Sequence, residues 1–140
     1  MGVVVRNADR SSPVVVLPSP GHPAAHVFTA AVEPLSPSTL VCAVTGEVDL
    51  ATAPRLRDLL VGQIRLGGPD LVVDLGEVRF FGATGLGVLV DALAAAGLAG
   101  VGFCVVARTR RVLLPLSATG LDLVFAVYPH VEGVPVRADP

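Results

Sequence analysis

The stretch from Asp70 to Val90 constrains the fold more than any other part of the chain. Leu71-Val72-Val73-Asp74-Leu75 is an apolar run with room for one buried strand. Phe80 to Thr84 leads into a small-residue turn, Gly82-Ala83-Thr84-Gly85. From Leu86 the sequence stays apolar at helical length until Gly97. A strand, a tight turn and a helix in that order set the turn at the carboxyl end of a sheet, with the N–H groups of the helix start exposed. That turn is therefore the first candidate for a functional surface.

The flanking segments extend the pattern. His26 to Val32 and Thr39 to Thr45 read as β-branched strands separated by a two-proline turn, Pro34 to Ser38. Gly46-Glu47-Val48-Asp49-Leu50 leads into a helix with Thr52 as N-cap, Pro54 in its first turn, and Leu56, Leu59, Leu60 and Ile64 at helical spacing. Gly67-Gly68-Pro69 stops it. The second helix is expected from about Thr84 to Ala96 and a strand over Val101 to Ala107. A third helix starts near Thr109 and should be kinked or shortened by Pro115, before a last strand over Leu123 to Val127. Strands separated by helices imply parallel pairing, and the opening pair can be antiparallel. The expected fold is α/β: a mixed sheet of about five strands with helices packed on one face. The domain spans residues 26–131, after an N-terminal Pro/Ser-rich arm (1–25) in which Val14-Val15-Val16-Leu17 could pair as an edge strand. A tail over 132–140 follows, and little order is expected from Tyr128 onward.

The composition narrows the function. The net charge is −2 and all 10 basic residues are Arg, spread along the chain apart from Arg108, Arg110 and Arg111. That balance gives no support for a nucleic-acid face. No apolar stretch reaches the roughly 18 residues of a membrane span, and the order of charge and apolar residues at the start does not fit a signal peptide. The reading is a cytoplasmic protein without a membrane association. No metal is expected: Cys42 and Cys104 are isolated, and His22, His26 and His130 lie near the ends. Cys42 and Cys104 read as buried thiols. A redox pair is the alternative if their strands are neighbours. No nucleophile motif, phosphate loop or marked carboxylate pair is present, so no catalytic residue and no cofactor is expected. Gly82-Ala83-Thr84-Gly85-Leu86-Gly87 imitates a dinucleotide turn, but its glycine spacing is wrong and it sits mid-chain.

Gly46-Glu47-Val48-Asp49, Thr52-Ala53, Val72-Val73-Asp74-Leu75 with Val78 and Phe80, Gly85-Leu86-Gly87-Val88-Leu89 and Thr119-Gly120-Leu121 follow one another in family order. Over about His26 to Val131 the chain resembles the STAS domain, specifically the stand-alone bacterial anti-anti-sigma factors (anti-sigma factor antagonists). The resemblance implies a partner, an anti-sigma factor that is also a serine kinase, whose binding frees a sigma factor. It implies a switch too: phosphorylation at the start of the second helix abolishes binding.

The sequence departs from the family at that switch. The usual turn there is Asp-Ser-Ser-Gly or Asp-Ser-Thr-Gly. Ala83 occupies the phosphoacceptor serine position, Gly82 that of the acid, and Thr84 that of the second hydroxyl residue. Thr84 has two readings, an N-cap or a substitute phosphorylation site. Glu47 and Asp49 are either solvated loop carboxylates or part of the partner-contact rim, and Leu86 is expected to be partly exposed. The partner surface is thus expected to comprise Glu47, Asp49, Gly82, Ala83, Thr84, Gly85, Leu86 and Gly87. The expected function is a non-enzymatic anti-sigma factor antagonist, with room for a homodimer. The rival is a non-switching STAS scaffold or accessory subunit of a transporter or stressosome-like assembly.

Overall fold

The computed structural model describes residues 3–5, 14–18 and 27–137. The readings placed on the proline-rich stretch 19–23, on His22 and His26 and on residues 138–140 lie outside them. Seven strands form one sheet in sequence order. They are β1 (Val3–Val5), β2 (Val14–Pro18), β3 (Val27–Ser36), β4 (Thr39–Val48), β5 (Asp70–Phe81), β6 (Phe103–Val106) and β7 (Ala126–Tyr128). The first four pair antiparallel, and β4 to β7 pair parallel through the helices α1 (Ala53–Gln63), α2 (Ala83–Ala99) and α3 (Arg110–Ala118). The five strands from β3 to β7 are the mixed sheet expected from the sequence. Val14–Pro18 pairs with β3 as anticipated, but it is not the edge, because Val3–Val5 pairs beyond it.

Alternation decides which face is covered. Phe28, Ala30, Val32, Cys42, Val44, Leu71, Val73, Leu75 and Val105 point to one side and join Leu56, Leu60, Leu89, Ala92, Val112 and Leu116 of the helices in the main core. All three helices therefore lie on that face. The other face has a smaller cluster of Val72, Val106 and Val134, flanked by Val41, Cys104, Tyr128 and Val131. Among the described residues no helix is long and apolar enough to cross a membrane.

Three expectations need correction. First, β5 does not end at Leu75 but runs to Phe81, so no loop separates strand from turn. Second, the segment after Tyr128 is ordered as far as Arg137. A short 3-10 turn at Val131–Gly133 seats Val134 on the open sheet face, and Arg137 pairs with Asp70 at 2.9 Å. Third, the cysteines cannot be a redox pair within one domain. Cys42 is in register with Val73 and Cys104 with Val72, so β5 lies between them and they point to opposite faces. Two strand spacings are roughly 9–10 Å, beyond the roughly 7 Å that a disulfide tolerates. Pro115 is accommodated within α3, which ends three residues later at Ala118; the Thr119 hydroxyl then donates to the Pro115 carbonyl at 2.8 Å.

Burial, with a smaller contribution from Asp74, pushes the Cys42 thiol up to about 12, and burial with Asp70 pushes Cys104 up to about 11, from an ordinary 9.0. The unfolded chain therefore releases these protons first as the pH rises. Stability is expected to be unaffected by these groups below pH 9 and to fall as the pH climbs from 9 through 11 toward 12. Thermal melts across that window check this. Replacing both residues with Ser should flatten the slope even if it lowers the melting temperature at neutral pH.

Candidate functional site

The turn is built by the ends of two parallel strands. The register of β4 and β5 shifts between Gly46 and Glu47, where Gly46 has φ +88, a conformation that L side chains rarely adopt. Beyond the shift Glu47 pairs with Phe80 and Val48 with Phe81. The Gly82 N–H then donates to the Val48 carbonyl at 3.3 Å. Glu47 to Asp49 and Gly82 to Gly87, distant in sequence, thus share one rim at the carboxyl end of the sheet.

The two loops are fixed differently. After β4, Asp49 folds its carboxylate inward. Its Oδ1 accepts from the N–H groups of Ala51 at 3.0 Å and Thr52 at 3.1 Å. The buried Thr52 hydroxyl donates to the Glu47 carbonyl at 2.9 Å and accepts from the Asp49 N–H at 3.0 Å. Thr52 is the N-cap residue of α1 as expected, but its side chain makes no cap hydrogen bond, and Asp49 organises the turn instead. Asp49→Ala removes a charge-assisted cluster beside a buried hydroxyl and is expected to cost about 1–3 kcal/mol. Urea unfolding measures this, and a loss under about 0.5 kcal/mol would assign Asp49 to the surface alone.

At α2 the N-cap is Gly82, not Thr84. The helix begins at Ala83, so Thr84 is already its second residue and makes no side-chain cap. The Gly82 carbonyl accepts from the N–H groups of Gly85 and Leu86 at 3.0 and 3.2 Å. Gly85 is buried, and a Cβ there would lie 2.7 Å from the Phe81 ring, so this glycine seats a core aromatic. Leu86 is buried too, against the expectation of partial exposure, because it lies on the face of α2 that carries Leu89, Ala92 and Ala96 and packs into the core.

The rim exposes several apolar residues. Leu50 is 79% exposed and Phe80 is 50% exposed, and Ala83, Gly87 and Val90 share the outer face of α2. The Phe80 ring overlies Gly82, where a Cβ would come within 3.2 Å of it. Leu50, Phe80 and Val90 were missed in the sequence reading. The adjacent pair Phe80-Phe81 held the signal, since neighbouring strand residues point to opposite faces and only one can be core. Among the described residues, no group of three or more His, Cys, Asp or Glu is placed to hold a metal ion.

This architecture matches known proteins. The model of the STAS domain matches residues 31–134. The chain belongs to the STAS family. It is similar to the anti-sigma-F factor antagonist RsfB of Mycobacterium tuberculosis, with 36% identity over 89 residues, 63% of this chain and 71% of that one. The crystal structure of an anti-sigma factor antagonist from Mycobacterium paratuberculosis superposes with a TM-score of 0.70 at 34% identity, covering 83% of this chain and 93% of that one. The phosphorylated form of the Bacillus cell fate determinant SpoIIAA gives a TM-score of 0.58 at 14% identity, covering 74% and 94%, a likeness of fold. Within this STAS domain, the glycine turn that imitates a dinucleotide site directly follows β5, and its Gly85 is taken up by Phe81.

Proposed function

We propose that this STAS protein is a non-enzymatic anti-sigma factor antagonist that docks an anti-sigma factor of the serine-kinase class at the Gly82 rim. It stays competent to bind, because Ala83 has no hydroxyl to phosphorylate. One observation carries the reading: Ala83 is the exposed first residue of α2, and the exposed Gly87 and Val90 follow it on the same outer face of the helix. Exposed apolar residues of this kind suit a protein partner. Glu47 and Asp49 border it, with Asp49 acting first as the support of the Leu50 loop. Thr84 and Gly82 shape the turn, while Gly85 and Leu86 support it from below. Phe80 covers the place of the acid that the family usually carries, which removes a second polar feature of the switch.

Calorimetric titration of the purified full chain with serine-kinase anti-sigma factors from its own genome tests this reading. A saturable complex is expected with one of them, weakened at least about ten-fold by Phe80→Asp or Leu50→Asp. Absence of binding to every such factor, with recovery of a transporter ATPase instead, would replace the antagonist by the scaffold role.

A further inference from the structure

The pole opposite the rim carries a second apolar surface. The helices run antiparallel to β4–β7, so the loops that leave them gather where β5, β6 and β7 begin. Leu66 follows α1, Leu98 closes α2 and Leu123 lies in the 3-10 turn, Leu121–Leu123, after α3. Their exposures are 86%, 88% and 89%, and Val124 beside them is 57% exposed. These loops are tied together. The Gly67 N–H donates to the Ala99 carbonyl at 3.2 Å, and the Phe103 and Phe125 rings meet at a centroid distance of 6.1 Å. Helix α2 packs against both α1 and α3, so Leu98 is central and Leu66 and Leu123 flank it. Scattered exposed leucines are ordinary, but three of them, almost wholly exposed at one end of a small domain, are not.

The charges on this pole choose the occupant. Arg65 precedes Leu66 and Asp122 precedes Leu123, and both are exposed. Neither has an ion-pair partner among the described residues. The pole is therefore positive on its α1 side, negative on its α3 side and apolar between. We propose that it is the interface between two copies of this chain, related by a two-fold axis near Leu98. A two-fold operation brings Arg65 and Leu66 of one copy against Asp122 and Leu123 of its partner, twice over. The Gly82 rims then point outward at the two far ends, and one dimer presents two docking surfaces. The dimer stands independently of what the rim binds.

Sedimentation of the full chain over about 1 μM to 1 mM tests it. A reversible monomer–dimer equilibrium with a Kd of about 10–100 μM is expected. Leu98→Asp should weaken it at least about thirty-fold, with little change in melting temperature because the side chain touches little else. Arg65→Asp and Asp122→Arg should each weaken it about ten-fold, and the double variant should recover to within about three-fold of the parent. This rescue does not depend on the leucine variant folding well. Three results would each overturn the proposal: a monomer at every concentration, a dimer indifferent to Leu98→Asp, or single charge reversals that simply add in the double variant.

Discussion

Ala83→Glu is expected to lower affinity for the anti-sigma partner about a hundred-fold, or about 2.7 kcal/mol, while leaving the fold intact or slightly more stable. The two effects separate because of where Ala83 sits. Its side chain is exposed, so a larger group creates no clash in the core. It is the first residue of α2, whose opening turn has no acidic residue to complement the partial positive charge of the helix start. A carboxylate there interacts favourably with the helix, by about 0.3–1 kcal/mol. At the docking surface the same carboxylate must be desolvated against the partner, and α2 itself carries no basic residue to pair with it. Ala83→Ser is the control: a hydroxyl of similar size should leave affinity within about three-fold and provide the acceptor that the chain lacks. Calorimetry and thermal melts on the three proteins read both effects. Unchanged affinity in Ala83→Glu would remove Ala83 from the interface.

Two glycines two residues apart in α2, on opposite faces of the helix, should respond oppositely to the same change. Gly85→Ala places a Cβ 2.7 Å from Cε1 and 2.9 Å from Cδ1 of Phe81, a ring that is itself buried. The ring has to move within a packed core, and overpacking of that kind costs about 1–3 kcal/mol. The shift would reach the rim as well, since Phe81 is in register with Val48 and holds the end of β5 in place. Gly87→Ala meets nothing within 4 Å. It exchanges a flexible residue for the best helix former and should stabilise the domain by about 0.5–1 kcal/mol. Chemical denaturation of both variants compares them directly. Equal destabilisation would contradict the assignment of Gly85 to a close approach and of Gly87 to the open face.

How far the sequence revealed this molecule depended on whether the signal was local. The strand–turn–helix unit, the element order and the burial of one sheet face were all legible, because each rests on periodicity within a few residues. The true end of β5 was hidden by Gly76, Glu77 and Arg79, which break the apolar run. They are tolerated because β6 pairs with Leu71 to Asp74, and among the described residues the far half of β5 has no strand partner on that side, where Arg108 pairs with Glu77 instead. The order of the tail was hidden too. It depends on Val134 and on an ion pair between Arg137 and Asp70, residues far apart in the chain. Thr84 and Thr52 both looked like caps. Helix α2 starts two residues too early for Thr84 to cap it, and Thr52 stands at the N-cap of α1 without a side-chain cap, because Asp49 holds that turn. The departure at Ala83 was visible in the sequence, but the meeting of Glu47 to Asp49 with Gly82 at one rim came from the pairing of β4 with β5.

The central claim is that this rim binds without a phosphorylation switch. It is tested by incubating the chain with its anti-sigma kinase and ATP, then measuring intact mass and affinity on the same sample. An unchanged mass and an unchanged affinity are expected. One added phosphate accompanied by loss of the complex, both abolished by Thr84→Ala, would contradict it and make Thr84 the switch.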